Sequence, residues 1–551
     1  MAGLHKAIAQ LMEGRQERPP ERTDPAVLVE LFDQLRERVT PAERSRAEAF
    51  ARELFGKAHA LLAEAGDLTP LAAMTASAFA FLRDRGRSAI GVRVFRPQPE
   101  RDGWTSSLTV VETCIADRPF IVETVGEALA ARGGEIRLLL HPVLRIERSS
   151  EGGLVHVGAA AEGQAHESFL HAEVAELEPD PALQQQLADR LRQLLSVTGD
   201  YAAMRARVDA TAADLRALAA PSPWDDDREE LAALLDWLGR KSFVYLGYRE
   251  YDVRGSTAAR TATVRAGSGL GLLRDDNRSR YRSGGTLTLE LARRLDAPPL
   301  WLASKTVAVS PVHRAAPMDD LVVKELDDAG TVVGARRLLG LFTAKADADA
   351  ASELPILRRR MAAILAAEGV EADSHDGRDL VALFNSVPRD ELLTSELGDI
   401  HALMTAIRAA DEHDGMQLVW RPDALRRGLF AVVLVPRDRF STELHARVSA
   451  VLRQQLGALL HEHLALDERP VARLHYHCAV SPEVLAHPPI AALQESLDAL
   501  LRTWDDELCE VLARSGPRPE AERLAARYAR ALPAAYNACT AVEDAAGCAR
   551  A

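Results

Sequence analysis

A multi-domain α+β chain, with strand–helix–strand modules and an antiparallel sheet module joined by helical segments, is what this sequence predicts. Three observations carry the prediction. Near residues 106–147 and again near 416–480, apolar residues switch from helical spacing to β-branched runs, each time with an amphipathic stretch between two strand-like runs. Long helical stretches separate these regions. The length, 551 residues, corresponds to about three to four domains at roughly 150 residues each.

The elements follow in order. From Asp24 to Ala65 apolar residues recur at helical spacing (Val27, Leu28, Leu31, Leu35, then Phe50, Leu54, Phe55, Leu61, Leu62). Asp24-Pro25 and Thr40-Pro41 read as helix starts, because a cap oxygen accepts an orphan N–H and Pro has none to lose. RPPERTDP (18–25) reads as mobile. SSLTVVETCIA (106–116) reads as a strand, and Ile121, Val122, Val125 and Leu129 mark a short helix ended by Gly133-Gly134. IRLLLHPVLRIE (136–147) is nearly all apolar, so it reads as one central strand. LVHVGAAA and ESFLHAEVAEL add strands, giving a sandwich with helices on one face.

Residues 181–220 return to helix, and the acidic, proline-bearing PSPWDDDREE (221–230) marks a boundary. FVYLGYREYDV, WLASKTVAVS and LVVKELDDAGTVVGARRLLGLFTAKA read as strands, the last turning at Asp327-Asp328-Ala329-Gly330. Helices are expected at about 353–367 and 376–386. In the second strand–helix–strand region Ser441 caps a helix carrying Leu444, Val448, Leu452, Leu456 and Leu460, and VARLHYHCAV (471–480) closes the unit. Its order of parts matches the first unit, so a diverged repeat is inferred. Beyond Pro488 the chain reads as helical and charged, ending without an element suited to packing.

Composition excludes several classes. Apolar residues make up 47%, too many for a wholly disordered chain. The net charge of -14 and 5% aromatics argue against a nucleic-acid coat or a base-stacking surface. Five cysteines (Cys114, Cys478, Cys509, Cys539, Cys548) form no CxxC pair, which fits a reducing cytoplasm. No signal peptide and no membrane-length apolar run is seen, so a cytoplasmic location is expected.

Candidate chemistry is sparse. Gly267-Ser268-Gly269-Leu270-Gly271 has the spacing G-x-G-x-G, and a dinucleotide fingerprint needs G-x-G-x-x-G opening a helix. His475 and His477 share a strand face and could share a metal, while His461 and His463 lie near a predicted helix end. With no third ligand at useful spacing, these read as surface or capping histidines. Cys114 reads as a buried small residue. Lys305 and Lys324 sit among apolar residues, where a desolvated lysine can be catalytic, but alternation along a strand favours solvent-facing side chains. No catalytic or metal-binding residue is assigned. The Asp117-Arg118-Pro119-Phe120 turn is the most useful signal. At a helix N-terminus, orphan N–H groups and the dipole can hold a small carboxylate, although an Asp117 cap is the plainer reading. Arg437-Asp438-Arg439-Phe440 is the corresponding turn of the second unit, and the two turns are the effector-binding candidates.

SSLTVVETCIADRPFIVETVGEALAARGGEIRLLLHPVL, FVYLGYREYDV with AGSGLGLLR, VVGARRLLGLFTAKA, ELPILRRRMAAILAAEGVEADSHDGRDLVALFNSVPRDELL, VLVPRDRFSTELHARV and TWDDELCEVL…AARYARALPAAY resemble, in this order, the large bacterial NAD-dependent glutamate dehydrogenases. The resemblance runs from about residue 30 to 540. It implies ACT-like, ferredoxin-like βαβ modules and a PAS-like antiparallel sheet. The implied division is a helical segment (1–85), ACT-like domain 1 (86–180), a helical linker (181–240), a PAS-like module (241–350), a second linker (351–410), ACT-like domain 2 (411–485) and a helical C-terminal segment (486–551). In that family a catalytic half oxidises L-glutamate to 2-oxoglutarate with NAD. The sequence stops soon after the Tyr528–Tyr536 segment, so the catalytic half is expected to be missing and the chain inactive alone, with no cofactor of its own. The implied role is regulation or assembly, with an amino-acid effector and a homo-oligomer or catalytic half as partners, and neither nucleic acid nor membrane. The alternatives are a stand-alone amino-acid sensor acting on a separately encoded catalytic chain, and the product of a fragmented gene.

Overall fold

The computed structural model describes residues 25–529 and 542–550, apart from 219–223, 225, 226, 412–414, 467, 468, 503 and 515. It is a multi-domain α+β fold built on three antiparallel sheets. Among the described residues, helices come first: α1 (Pro25–Arg36), α2 (Arg44–Leu54), α3 (His59–Glu64) and α4 (Thr69–Asp84). Asp24 and the rest of the segment expected to be mobile, 18–24, lie outside the described residues. Thr40-Pro41 does not open a helix. It sits in a turn, where the Thr40 hydroxyl donates to Glu43 at 2.6 Å, and α2 begins three residues later.

The first sheet contains β1 (Ile90–Phe95), β2 (Thr109–Ala116), β3 (Glu135–Leu140), β4 (Val143–Arg148), β5 (Leu154–Ala159) and β6 (His166–Ala175). Its order is β1-β2-β6-β4-β5, with β3 also on β6. The apolar run 136–147 is therefore two strands, not one. His141-Pro142 breaks it, since proline has no N–H for the ladder, and β3 and β4 lie in tandem along one edge of the long β6. The central strand is β6. Helix α5 (Ile121–Ala130) joins β2 to β3, which run parallel with β6 between them.

Both faces of this sheet are covered, where one was expected. Along β2, Val110 and Cys114 pack against α1–α4 together with Phe50 and Phe169. Val111 and Ile115 point the other way, onto α5 and α6 (Pro181–Gly199). This is the alternation a strand must show.

Helices α5 and α6 also pack on the second sheet, through Leu246, Leu339 and Leu341. After α7 (Tyr201–Ala217) and α8 (Arg228–Trp237) come β7 (Phe243–Arg254), β8 (Thr261–Val264), β9 (Leu270–Gly271), β10 (Gly285–Thr286), α9 (Leu289–Asp296), β11 (Trp301–Val309), β12 (Pro317–Leu326) and β13 (Val332–Phe342). The order is β10-β8-β7-β13-β12-β11, with β9 on β7. The predicted β12–β13 turn is present: Asp327 accepts from the Ala329 and Thr331 amides. The boundary expected at 221–230 lies largely outside the described residues.

A helical segment follows: α10 (Ala344–Ala348), α11 (Leu357–Glu368), α12 (His375–Ser386), α13 (Arg389–Thr394) and α14 (Leu397–Ala410). The third sheet holds β14 (Gln417–Pro422), β15 (Leu429–Pro436), β16 (Ala458–Ala465) and β17 (Val471–Ala479), in the order β14-β15-β17-β16. Ser441 caps α15 (Thr442–Leu456) by accepting the Leu444 amide at 3.0 Å. The helix ends at Leu456, short of Leu460, and Gly457 at φ 117 leads directly into β16. The strand that closes the second strand–helix–strand unit is thus β16, and VARLHYHCAV returns as β17 between β15 and β16. The first module has the same order, β1-β2-β6-β3, with β4 and β5 inserted as a hairpin.

One face of the third sheet packs on α15 and α16 (Ile490–Leu501). The other carries Val432, Leu434 and Val471 into the central core. At the C-terminal end, α17 (Trp504–Ala513), α18 (Arg518–Ala529) and α19 (Val542–Arg550) do pack together, around Leu508, Leu512, Ala521, Ala525, Ala545 and Ala546. The small alanines hide the apolar face that larger residues would have announced.

Phe169 is fully buried and meets the Phe50 ring edge-on at 5.1 Å. Phe169→Ala is expected to cost about 3–5 kcal/mol in urea unfolding, while Val155→Ala, at a position 55% exposed, should stay within about 0.5 kcal/mol.

Candidate functional site

The second sheet, the helical segment and the third sheet meet at a small chamber of about 60 Å³. Its walls include Lys305 from β11, Arg314 from the loop after it, Asp347 from α10 and Asp390 and Glu391 from α13. The third sheet adds Phe430 and four histidines: His461, His463, His475 and His477. The antiparallel register sets His461 opposite His477 and His463 opposite His475.

A buried ion triplet forms one side. The Lys305 ammonium lies 2.6 Å from Asp319 on β12 and 2.6 Å from Asp390. Burial opposes the lysine charge, yet the two carboxylates outweigh it and hold the ammonium protonated, above its usual range. Burial also opposes the Asp390 charge, but Lys305 overrides it and holds this carboxyl well below its ordinary value. Asp319 fares differently. Burial, aided by the Asp390 charge, pushes it up to about 6 against the pull of Lys305. Such a lysine is locked as a cation and is no nucleophile. The solvent-facing reading of Lys305 fails because β11 is covered by α13. That of Lys324 fails too: it is 2% exposed, and its ammonium donates to the carbonyls of Arg294 and Ala297 at 2.6 and 2.5 Å. With burial as the main cause, its pKa falls to about 7.

The histidines form the other side. His475 Nδ1 meets Glu391 Oε2 at 2.6 Å, tying β17 to α13. His477 stacks on Phe430 at 4.6 Å. His475 and His477 are 5% and 3% exposed, so they are core residues rather than the surface or capping histidines expected. His461 and His463 lie on β16, not near a helix end. Burial and the neighbouring Lys305 charge lower His461 to about 4, and burial with Lys305, Arg421 and His461 lowers His477 to about 3 against the pull of Asp390. Both are neutral at pH 7. His475 Nε2 and both ring nitrogens of His477 are buried without a hydrogen-bond partner. Among the described residues no group of three His, Cys, Asp or Glu is arranged to hold a metal ion.

The expected effector turns lie elsewhere. Asp117 does not cap α5. Its amide donates to the His166 carbonyl at 2.9 Å, and the residue preceding α5 is Phe120, in the left-handed region at φ 73, with no side-chain cap. Arg118 and Pro119 are exposed, and the Phe120 ring rests against His313 at 4.5 Å. Arg437–Arg439 forms one exposed 3-10 turn, anchored by the Arg437 amide on the Pro470 carbonyl at 2.7 Å. Phe440 follows, half-buried near His445. The glycine run 267–271 leads into the short β9 and a turn, with no helix. Its amides have internal partners: Gly271 donates to Asp200 at 2.8 Å and Gly267 to Asp276 at 3.3 Å. Sequence reasoning missed Asp390 and Glu391. The signal available was His475-x-His477 in a largely apolar predicted strand, which asks for a buried polar partner.

Two sheets of one strand order, separated in the chain by a further antiparallel sheet and a helical segment, make this a multi-domain α+β protein with a repeated module. Family models described as glutamate dehydrogenase ACT1 domain, helical motif 1 and ACT2 domain match residues 50–191, 354–413 and 417–505. The chain is 29% identical over 535 residues to the NAD-specific glutamate dehydrogenase of Halomonas elongata, covering 94% of this chain and 33% of that protein. Its identity to the enzyme of the same name from Pseudomonas aeruginosa is 26% over 477 residues (85% and 29%), and to that of Mycobacterium tuberculosis 27% over 504 residues (87% and 29%). The chain belongs to the family of the large NAD-specific glutamate dehydrogenases, and it spans about a third of the length of the curated relatives it matches.

In the unfolded chain His477 takes up a proton near pH 6.5, whereas the folded chain refuses it until about 3. The unfolded state therefore binds more protons across that window, and stability falls as pH falls, by up to about 1.4 kcal/mol per pH unit for each such histidine. Asp319, raised in the fold, works in the opposite sense between about 6 and its ordinary 3.8. His477→Gln should flatten the loss of Tm between pH 6.5 and 4, and an unchanged slope would contradict the assignment.

Proposed function

We propose that this chain is a regulatory and assembly region of a large NAD-specific glutamate dehydrogenase. The observation that carries the reading is the order of the matched modules, ACT1, helical motif 1 and ACT2. Between the first two lies the second sheet, which serves as the PAS-like module. Lys305 on its edge strand reaches Asp390 in the helical motif, and Glu391 beside it reaches His475 in ACT2. A ligand or partner that moves one of these modules has a direct physical route to the next. Coupling of this kind requires that the ligand discriminate between two arrangements. The two exposed turns, Asp117–Phe120 and Arg437–Phe440, remain effector-contact candidates in this reading, and the oxidation of glutamate by NAD belongs to the whole enzyme. A cytoplasmic location belongs to the same reading. Among the described residues no helix is long and apolar enough to cross a membrane.

The test uses the purified 551-residue chain. With glutamate and NAD, absorbance at the NADH band should stay at background, and light scattering should give a mass that is a multiple of 60.0 kDa. Robust turnover would overturn the regulatory reading, and a strictly monomeric chain would remove its assembly half.

A further inference from the structure

We propose that two glutamines, Gln184 and Gln494, are latches that keep the outer edge strands of the two repeated sheets, β1 and β14, shut against strand addition by a second copy of the chain. The inference stands apart from the regulatory reading, because it concerns which edges of the molecule do not assemble.

Topology sets the problem. β1 ends the first sheet and β14 ends the third, and each pairs with a single neighbour. An edge strand offers a row of unpaired N–H and C=O groups that another chain can take up. Alternate residues of an antiparallel strand turn both groups to the same side. On β14 those of Leu418 and Trp420 turn outward, away from β15.

Gln494 fills that edge as a neighbouring peptide group would. Its Oε1 accepts the Leu418 amide at 3.0 Å, and its Nε2 donates to the Met416 carbonyl at 2.8 Å. The same Nε2 donates to Asp498, one turn further along α16, at 2.9 Å. An ionised Asp498 only accepts, so it fixes which end of the amide meets which backbone group. Beyond the latch, among the described residues, the Leu418 carbonyl and the Trp420 amide have no partner. Trp420 is 39% exposed there. Pro422 then ends the edge, with no N–H to offer.

The first module repeats the device. Gln184 on α6 accepts the outward Val94 amide of β1 at 3.3 Å. Lower on the same edge, the Ser88 hydroxyl donates to the Ile90 carbonyl at 2.7 Å and accepts the Ile90 amide at 3.4 Å. Both glutamines stand in one local sequence, Ala-Leu-Gln-x-x-Leu, at 182–187 on α6 and 492–497 on α16. Its leucines, Leu183 with Leu187 and Leu493 with Leu497, are fully buried. The residue after a buried leucine lies about 100° round the helix, at the flank of the packed face, where the sheet ends. The two contacts fall on neighbouring outward residues. Val94 faces Val111 and Trp420 faces Ala431, each nine residues before the turn phenylalanine, so Val94 is the counterpart of Trp420.

The test uses the full chain and Gln494→Ala, which removes the latch and favours the helix. Amide exchange at Leu418 should quicken about tenfold or more. The mass by light scattering, against the native chain at the same concentration, should rise about twofold or more as β14 edges pair across a two-fold axis. Adding Trp420→Pro should return the mass to the native value, because its ring removes an outward N–H that no ladder bond uses. If the proline variant does not fold, Trp420→Lys, which sets a charge on the edge, makes the same comparison. Unchanged exchange at Leu418 would overturn the latch. A native mass with that amide set free would overturn it too, since the open edge then attracts nothing. So would a mass increase that persists with Trp420→Pro or Trp420→Lys. The native chain's own mass bears on the assembly reading, and the change between variants bears on the latch.

Discussion

A buried ammonium cannot be left alone, and much of the centre of this molecule follows from that constraint. Lys305 lies on the edge strand of the second sheet, 4% exposed. Stripped of water, its charge would cost far more than the fold could recover. Two carboxylates answer it, Asp319 from the neighbouring strand and Asp390 from α13. The second partner fixes where α13 must lie. Once α13 is in place, Glu391 follows Asp390 in the chain and meets His475 on β17. Three successive modules are thus joined by a buried ion pair and a buried hydrogen bond made by adjacent residues of one six-residue helix. Apolar packing adds area at the same junction, through Val432, Leu434 and Val471. Such packing is indifferent to register, whereas a buried ion pair tolerates little displacement before its desolvation cost is exposed.

The two ACT modules solve the same problem differently. In the first, the central strand β6 carries buried His171, bound at 2.8 Å to Glu112 on the adjacent β2. Burial opposes the Glu112 charge, and Arg93 and His171 override it. That network stays within the first module, the sheet plus one Arg93 bond to Ser77 on α4 at 3.1 Å. In the second module the central strand β17 carries buried His475, and its glutamate comes from outside, from the helical segment. The same topology therefore gives one self-contained module and one that is completed by its neighbour. The chamber forms at the second because a junction between modules leaves gaps that a single packed sheet does not.

Much of this was legible in the sequence, for reasons of period. The strands β2, β7, β11–β13, β15 and β17 are runs of β-branched and aromatic residues, and α5 and α15 show clear apolar stripes. The repeated module was legible from the order of its parts. β16 was not, because ALLHEHLA continues the leucine spacing of α15, and only the backbone at Gly457 announces the change. The break at Pro142 was hidden by apolar residues on both sides. Lys305, Lys324, His475 and His477 were misplaced for one shared reason. Strand alternation names two faces, but whether the second face meets water depends on distant segments. α13 covers Lys305 from more than eighty residues away, and no local pattern encodes that. The acidic pair Asp390-Glu391 was visible as sequence and silent as a site until the fold set it against a lysine and a histidine.

The central claim is that Lys305 holds the second sheet, α13 and the third sheet as one unit. Amide hydrogen exchange of the full chain, comparing the native protein with Lys305→Met, tests it most directly. Methionine fills the lysine stem but leaves Asp319 and Asp390 buried without a cation. Protection should drop together in β11, in α13 and in β17, through the Glu391–His475 link, while β2 and β6 of the first module keep theirs. A loss of protection confined to β11, with α13 and β17 unchanged, would contradict the account.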